Sequence, residues 1–228
     1  MTTRLLAIES ATDSLSIALM EGDEFVLCEE AGETRQHASV LLPLINQAFR
    51  DVGWSIGDLD ALAVSSGPGS FTSLRIGLAT AKGLAFGREI QAIGVSTLEA
   101  MAAGVDAAGL GTRGEAIEIV SLLDARRGEW YAGGWRCGPG QSLVPGLVEG
   151  LYSPEHLAAD VQGEVLLVCP ERAGWDADFK AAGLKIAGIV EGPAARPRAD
   201  WIGRLGRRGL AQGKSGAPRD LVARYLRR

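Results

Sequence analysis

Three residues at the ends of predicted strands carry the side-chain oxygens that a magnesium–nucleotide site requires. Glu9 ends the first predicted strand, Thr12 lies in the turn after it, and Asp124 ends a predicted strand in the second half of the chain. Carboxylate and hydroxyl oxygens at strand ends bind Mg²⁺ and phosphate groups in duplicated nucleotide-binding folds. Asp, Ser and Thr are also common turn residues, so the spacing alone fits ordinary turn chemistry equally well.

The sequence motifs of self-sufficient enzymes are incomplete in this chain. The glycine-rich turn Gly67-Pro68-Gly69 lacks the third glycine of a dinucleotide fingerprint, and its proline removes a backbone N–H that a phosphate would use. The sequence has no GxSxG elbow, and its only two histidines, His37 and His156, belong to different halves, which excludes a two-histidine helix site. We therefore predict no catalytic residue, no metal ligand and no tightly bound cofactor.

The charge of the chain is unevenly distributed along its length. The 228 residues are 46% hydrophobic and 22% charged, with a net charge of −5, and this composition is typical of a globular protein with a sizeable core. Residues 196–228, in contrast, contain ten Arg or Lys and two Asp. Such a basic segment indicates a nucleic acid or an acidic protein partner, or else only the solvated face of a terminal helix.

No apolar run reaches membrane-spanning length and no signal peptide is evident, so we expect a cytoplasmic protein without a membrane partner.

The periodicity of apolar residues predicts one order of elements that occurs twice. The first half has predicted strands at residues 4–10, 15–20, 24–30, 60–66 and 90–94, with helices at 36–52, 70–86 and from 96. The second half has predicted strands at 116–123, 129–136, 143–149, 164–169 and 185–190, with helices from 153, near 176–182 and at 198–211. Two βββαβαβα units predict a duplicated α/β protein with mixed sheets, divided into residues 1–103 and a smaller half, 104–228. Whether the basic C-terminal segment packs back on the first half stays open at this stage.

The helix predicted at residues 70–86 carries small side chains at every fourth position. Ser73, Gly77 and Ala81 lie on one helix face, where another element can approach closely. A glycine inside a helix costs roughly 0.5–1 kcal/mol relative to alanine, so Gly77 and Gly83 need a structural reason. This face either packs in the core of the chain itself or meets a helix of a partner chain.

Six segments, taken together and in this order, resemble one known family. They are residues 6–12 (LAIESAT), 37–45 (HASVLLPLI), 67–85 (GPGSFTSLRIGLATAKGLA), 94–98 (GVSTL), 124–129 (DARRGE) and 225–227 (YLR). The family is TsaB, also called YeaZ, of the bacterial pathway that makes threonylcarbamoyladenosine in tRNA. The resemblance implies the duplicated actin-like, RNase-H-like (ASKHA) fold, in agreement with the element order.

The resemblance also implies a role and a set of partners. It implies an accessory, non-catalytic subunit in the transfer of a threonylcarbamoyl group to N6 of the adenosine beside the anticodon, in tRNAs that read codons beginning with A. The active site, with its metal-binding histidine pair, belongs to the paralogue TsaD. The implied assembly is a heterodimer with TsaD, a ternary complex that includes the ATPase TsaE, and a homodimer when TsaD is absent. ATP and Mg²⁺ would then act at the level of the complex, and tRNA would be bound through it, with the basic C-terminal segment as a candidate contact.

The implied partner interface lies on the two helices predicted at residues 36–52 and 70–86. Its predicted residues are His37, Leu41, Leu42, Ile45, Ser73, Leu74, Gly77, Leu78, Ala81 and Leu84. Two positions depart from the family pattern, since Ser73 stands where glycine is usual and Glu9 where aspartate is more frequent. The alternative function is an ATP- and Mg²⁺-dependent kinase or ATPase of the actin-like superfamily, in which Glu9, Thr12 and Asp124 would bind the nucleotide.

Overall fold

Two β-sheets, one formed by each half of the sequence, organise the chain. The computed structural model describes residues 2–33, 36–107, 117–137, 143–171 and 174–226. The strands are β1 Arg4–Glu9, β2 Ser14–Glu21, β3 Glu24–Glu33, β4 Ala61–Gly67, β5 Gln91–Ser96, β6 Ile117–Asp124, β7 Trp130–Cys137, β8 Val144–Pro145, β9 Gly150–Tyr152, β10 Glu164–Cys169 and β11 Lys185–Glu191. The helices are α1 His37–Val52, α2 Phe71–Ala85, α3 Thr97–Ala107, α4 Pro154–Asp160, α5 Ala177–Ala181 and α6 Ala199–Ala211.

The two sheets have the same strand order relative to the first strand of each half. The first sheet runs β3-β2-β1-β4-β5, and the second runs β11-β10-β6-β7-β8, with β9 paired to β7. In each half an antiparallel hairpin precedes two strands that lie parallel to the first strand. Parallel neighbours need crossover connections, which helices supply here. This topology confirms the predicted duplicated α/β fold with mixed sheets.

The alternation of side chains along β1 directs two different helix layers onto the first sheet. Leu6 and Ile8 belong to a buried cluster that includes residues of α1 and α2. Leu5 and Ala7 point to the opposite face and belong to a cluster that includes Ala199 and Ile202 of α6. The first sheet is therefore covered by α1 and α2 on one face and by α6 on the other.

The helix α6 is distant in sequence from the sheet that it covers. The chain forms two units: the first combines the residues up to Ala100 with Pro197–Arg224, and the second is built on Met101–Arg196. The backbone N–H of Ala199 donates a hydrogen bond of 2.9 Å to Ser16 Oγ of β2. The sequence-based division at residue 103 left open whether the C-terminal segment packs back on the first half, and α6 does belong to the first unit.

One local feature differs from the sequence-based prediction. The strand predicted at 143–149 forms instead as the two short strands β8 and β9, because Pro145 has no N–H for a sheet ladder. Between β8 and β9, the N–H of Gly134 donates to the carbonyl oxygen of Leu147, and the N–H of Gly146 donates to that of Gly134. The helix α1 includes Pro43. None of the helices within the described residues combines the length and apolar character needed to cross a bilayer.

Candidate functional site

Glu9 lies at the end of β1 and is fully buried. One of its carboxylate oxygens, Oε1, accepts a hydrogen bond of 2.6 Å from the backbone N–H of Ala11. The other, Oε2, has no partner among the described residues. Burial raises the pKa of Glu9 from its ordinary value of 4.5 to about 7, although the Ala11 N–H and the Ser65 hydroxyl act in the opposite direction. A carboxyl group with this pKa is about half protonated at neutral pH.

The other two residues of the predicted nucleotide site are bonded within their own turns. Thr12 Oγ1 accepts the backbone N–H of Ser14, and Asp124 Oδ1 accepts the backbone N–H of Arg126 at 2.7 Å. Across the described ranges, no three His, Cys, Asp or Glu residues are grouped as metal ligands. The hydrogen bonds of Thr12 and Asp124 are those of ordinary turn residues. A magnesium–nucleotide site at these three residues therefore stays a prediction.

The turn after Asp124 presents two arginines in an unusual backbone conformation. Arg126 and Arg127 have φ angles of 70° and 60°, and Gly128 follows at 77°. Left-handed backbone costs a residue with a side chain roughly 1–2 kcal/mol. The turn lines an open cavity of about 560 Å³ in the second unit, whose other lining residues are Asp124, Trp130, Glu171, Trp175 and Asp178. Acidic and basic side chains are mixed in this cavity, so its charge does not select one class of ligand.

Most of the residues predicted for the partner interface lie in the core of the first unit. Seven of the ten are buried: His37, Leu41, Ile45, Leu74, Gly77, Leu78 and Ala81. Ser73 and Leu84 are partly buried, and Leu42 is 46% exposed. A buried side chain makes no contact with a partner unless the helix moves. Internal packing, rather than contact with a partner, therefore accounts for the residue types at these seven positions.

The stripe of small residues on α2 packs against the chain's own first strand. A Cβ atom at Gly77 would lie less than 3.0 Å from Ser10 Oγ and 3.3 Å from Ser10 Cβ. Ser10 Oγ in turn donates a hydrogen bond of 3.1 Å to the carbonyl oxygen of Ser73. The close approach of α2 to β1 explains why glycine occupies position 77, and of the two alternatives left by the sequence this favours internal packing.

The two glycines of α2 are expected to respond in opposite ways to the same substitution. Gly77→Ala places a methyl group against Ser10 and lowers the free energy of unfolding by about 1–3 kcal/mol. Gly83→Ala meets nothing within 4 Å and raises it by about 0.5–1 kcal/mol through helix propensity. Urea denaturation of both variants measures the two effects. A second check is the Ser10→Gly/Gly77→Ala double variant, whose free energy of unfolding should fall by less than the sum of the two single changes. Equal changes in the free energy of unfolding for Gly77→Ala and Gly83→Ala would contradict this packing.

A second stripe on α2 faces outwards and was not recognised from the sequence. It consists of Thr72, Ile76, Ala79 and Gly83 on the helix and of Phe86, which follows directly after the last helical residue; we call these five residues the outer seam. Its members are exposed, except for Ile76, which is partly buried, and Phe86 is 84% exposed. Their alternating spacing of four and three residues is that of helices that pair along their length. The spacing was visible in the sequence, but only the position of the sheet shows which of the two stripes is free.

The fold defines a protein of the duplicated actin-like class. In this chain the acidic residues at the strand ends are hydrogen-bonded within turns, and the first unit carries the outer seam.

The family model of TsaD, tRNA N6-adenosine threonylcarbamoyltransferase, matches residues 29–188. The chain is 32% identical to the tRNA threonylcarbamoyladenosine biosynthesis protein TsaB of Escherichia coli, over 98% of this chain and 94% of that protein. It is 36% identical to TsaB of Haemophilus influenzae over 56% of this chain and 51% of that one.

A solved structure supports the same assignment of fold. YeaZ from Pseudomonas aeruginosa matches with a TM-score of 0.82 and 23% identity, over 98% of this chain and all of that one. The chain belongs to the TsaB family, whose members are named for the biosynthesis of threonylcarbamoyladenosine in tRNA. The resemblance noted in the sequence is thereby confirmed.

Proposed function

We propose that this chain is a non-catalytic accessory subunit that binds and activates the threonylcarbamoyltransferase TsaD. The observation that carries this proposal is the outer seam, a row of small and apolar residues that the chain leaves exposed on α2. Ala79 and Gly83 allow a second helix to approach closely, and Phe86 adds a large apolar side chain at the end of the row. The neighbouring helix α1, which contacts α2, adds the exposed side chain of Leu42.

The choice of TsaD as the partner follows from the likeness between the two chains. The transferase family model matches a range that includes both α1 and α2. Homologous chains present similar helices in similar places, so a surface suited to self-pairing is also suited to pairing with a homologue. In the proposed complex α1 and α2 pack against the equivalent helices of TsaD, TsaE completes a ternary assembly, and the same surface pairs two copies of this chain when TsaD is absent.

Reconstitution tests this function. The purified chain, TsaD and TsaE are mixed in all combinations with tRNA, threonylcarbamoyl-adenylate and ATP, and the modified adenosine beside the anticodon is measured. We expect modification only when this chain and TsaD are both present, and a 1:1 contact between them in sedimentation experiments. Modification at the full rate without this chain would overturn the proposal, and so would modification by this chain alone.

A further inference from the structure

The side of the first unit that α6 covers presents a cluster of arginines. Arg204, Arg207 and Arg208 are spaced at i, i+3 and i+4, so they lie on one face of α6. We call these three residues the α6 basic face. Together with Met20, Asp23 and Ala211 they line a cavity of about 220 Å³. Three guanidinium groups and one carboxylate give the cavity a net positive charge on a chain whose overall charge is −5.

Two of the three guanidinium groups are held in place by neighbouring side chains. The Arg204 guanidinium lies 4.7 Å from the centroid of the Phe25 ring and 5.6 Å from that of Trp201, which are distances typical of cation–π contacts. Arg207 forms an ion pair with Asp23, and this hydrogen bond lowers the pKa of Asp23 and raises that of Arg207. An arginine that is already ordered loses less conformational entropy when it binds an anion.

The third guanidinium group remains available. Arg208 is exposed, and within the described residues no hydrogen bond or ion pair engages its side chain. Two oriented arginines beside one free arginine form an arrangement suited to phosphate oxygens, which guanidinium groups bind with paired hydrogen bonds.

We propose that the α6 basic face binds the phosphate backbone of tRNA. The three arginines themselves indicate only that the ligand is a polyanion. The choice of tRNA as that polyanion rests on the proposed function. The proposed docking helices α1 and α2 cover one face of the first sheet and α6 covers the other, so the chain can contact TsaD and tRNA at the same time. Contacts to phosphates fix the position of an RNA without reading its sequence.

The test is the salt dependence of tRNA binding between 50 and 200 mM salt. Binding is measured by the fluorescence anisotropy of labelled tRNA. It is measured both for the chain alone and for its complex with TsaD. For Arg204→Gln/Arg208→Gln we expect binding about tenfold weaker near 0.1 M salt and a log–log slope shallower by about one to two, because released counterions set that slope. The charge-preserving variant Arg204→Lys/Arg208→Lys keeps most of the slope.

Matched controls separate this site from a general effect of charge and from misfolding. Lys180→Gln/Lys185→Gln removes two positive charges from the second unit and is expected to leave the slope unchanged. Arg208→Gln alone, which breaks no internal contact, is expected to weaken binding without changing the urea denaturation midpoint. An unchanged slope for both glutamine variants, or an equal loss in the lysine control, would overturn the proposal. Loss of TsaD binding in the arginine variant would instead identify the face as a protein contact and would equally contradict it.

The design distinguishes failure of this proposal from failure of the proposed function. A substitution in the outer seam that abolishes TsaD binding should leave the salt slope of the isolated chain intact. The arginine variants should show the reverse pattern, with TsaD binding intact and a shallower slope. If the wild-type chain does not bind TsaD, its own tRNA titration still tests the α6 basic face.

Discussion

Gly83→Trp is expected to weaken binding to TsaD while the chain remains folded. A Cβ atom at Gly83 would meet nothing within 4 Å, so the indole projects away from the protein and the core is unaffected. In a helix pair that requires a close approach, a large side chain at this position prevents contact along the whole seam. Overpacking of a close contact costs about 1–3 kcal/mol, which weakens the affinity by about fivefold to somewhat more than a hundredfold.

Three measurements check this expectation. The affinity for TsaD is obtained by sedimentation or interferometry, the rate of tRNA modification by reconstitution, and the folding state by urea denaturation. Ala159→Trp, at an exposed position of α4, is the matched control and should retain wild-type affinity. Wild-type affinity in Gly83→Trp would show that the outer seam is not the docking surface.

The stability of the chain is expected to fall as the pH rises from about 4.5 to about 7, because of Glu9. The pKa of this carboxyl group is about 7 in the folded chain against an ordinary value of 4.5, so folding takes up a proton between these two values. The unfolded chain binds fewer protons than the folded one in this range, and the free energy of unfolding therefore decreases with increasing pH and levels off above it. The full difference corresponds to about 3 kcal/mol.

Glu9→Gln removes this titration and keeps a carbonyl oxygen for the Ala11 N–H. Urea denaturation at pH 5 and pH 8 measures the effect as the change in unfolding free energy between the two conditions. The wild-type chain should lose up to about 3 kcal/mol more than Glu9→Gln between them. Glu89→Gln, which changes an exposed glutamate, should behave as the wild type does. The same loss in wild type and Glu9→Gln would mean that Glu9 is already charged in the folded chain.

The fold was predictable because its local signals agree with one another. Apolar periodicity separated strands from helices in both halves, and the repeated order indicated the duplication before any contact was known. The helix caps are equally local: the hydroxyl groups of Ser70 and Ser153 accept the backbone N–H groups of Ser73 and His156. Each of these signals depends on residues close in sequence, which is why a sequence-based argument reaches them.

The candidate site was less predictable because it depends on which helix face meets the sheet. The stripe from Ser73 to Ala81 and the outer seam both present small side chains at helical spacing, and nothing within α2 distinguishes them. The contact between Gly77 and Ser10, two residues far apart in sequence, decides the orientation. In the same way, the sequence places Glu9 at the end of a strand but does not show that its carboxyl group is fully buried.

The late position of α6 in the chain has a consequence for synthesis on the ribosome. One face of the first sheet, including Leu5 and Ala63, is covered by Ala199 and Ile202. The nascent chain therefore keeps that apolar face exposed until α6 has been synthesised and has left the exit tunnel. Folding of the first unit cannot be completed before that point, and a stalled or shortened product that ends before α6 is expected to be a target for chaperones and proteases.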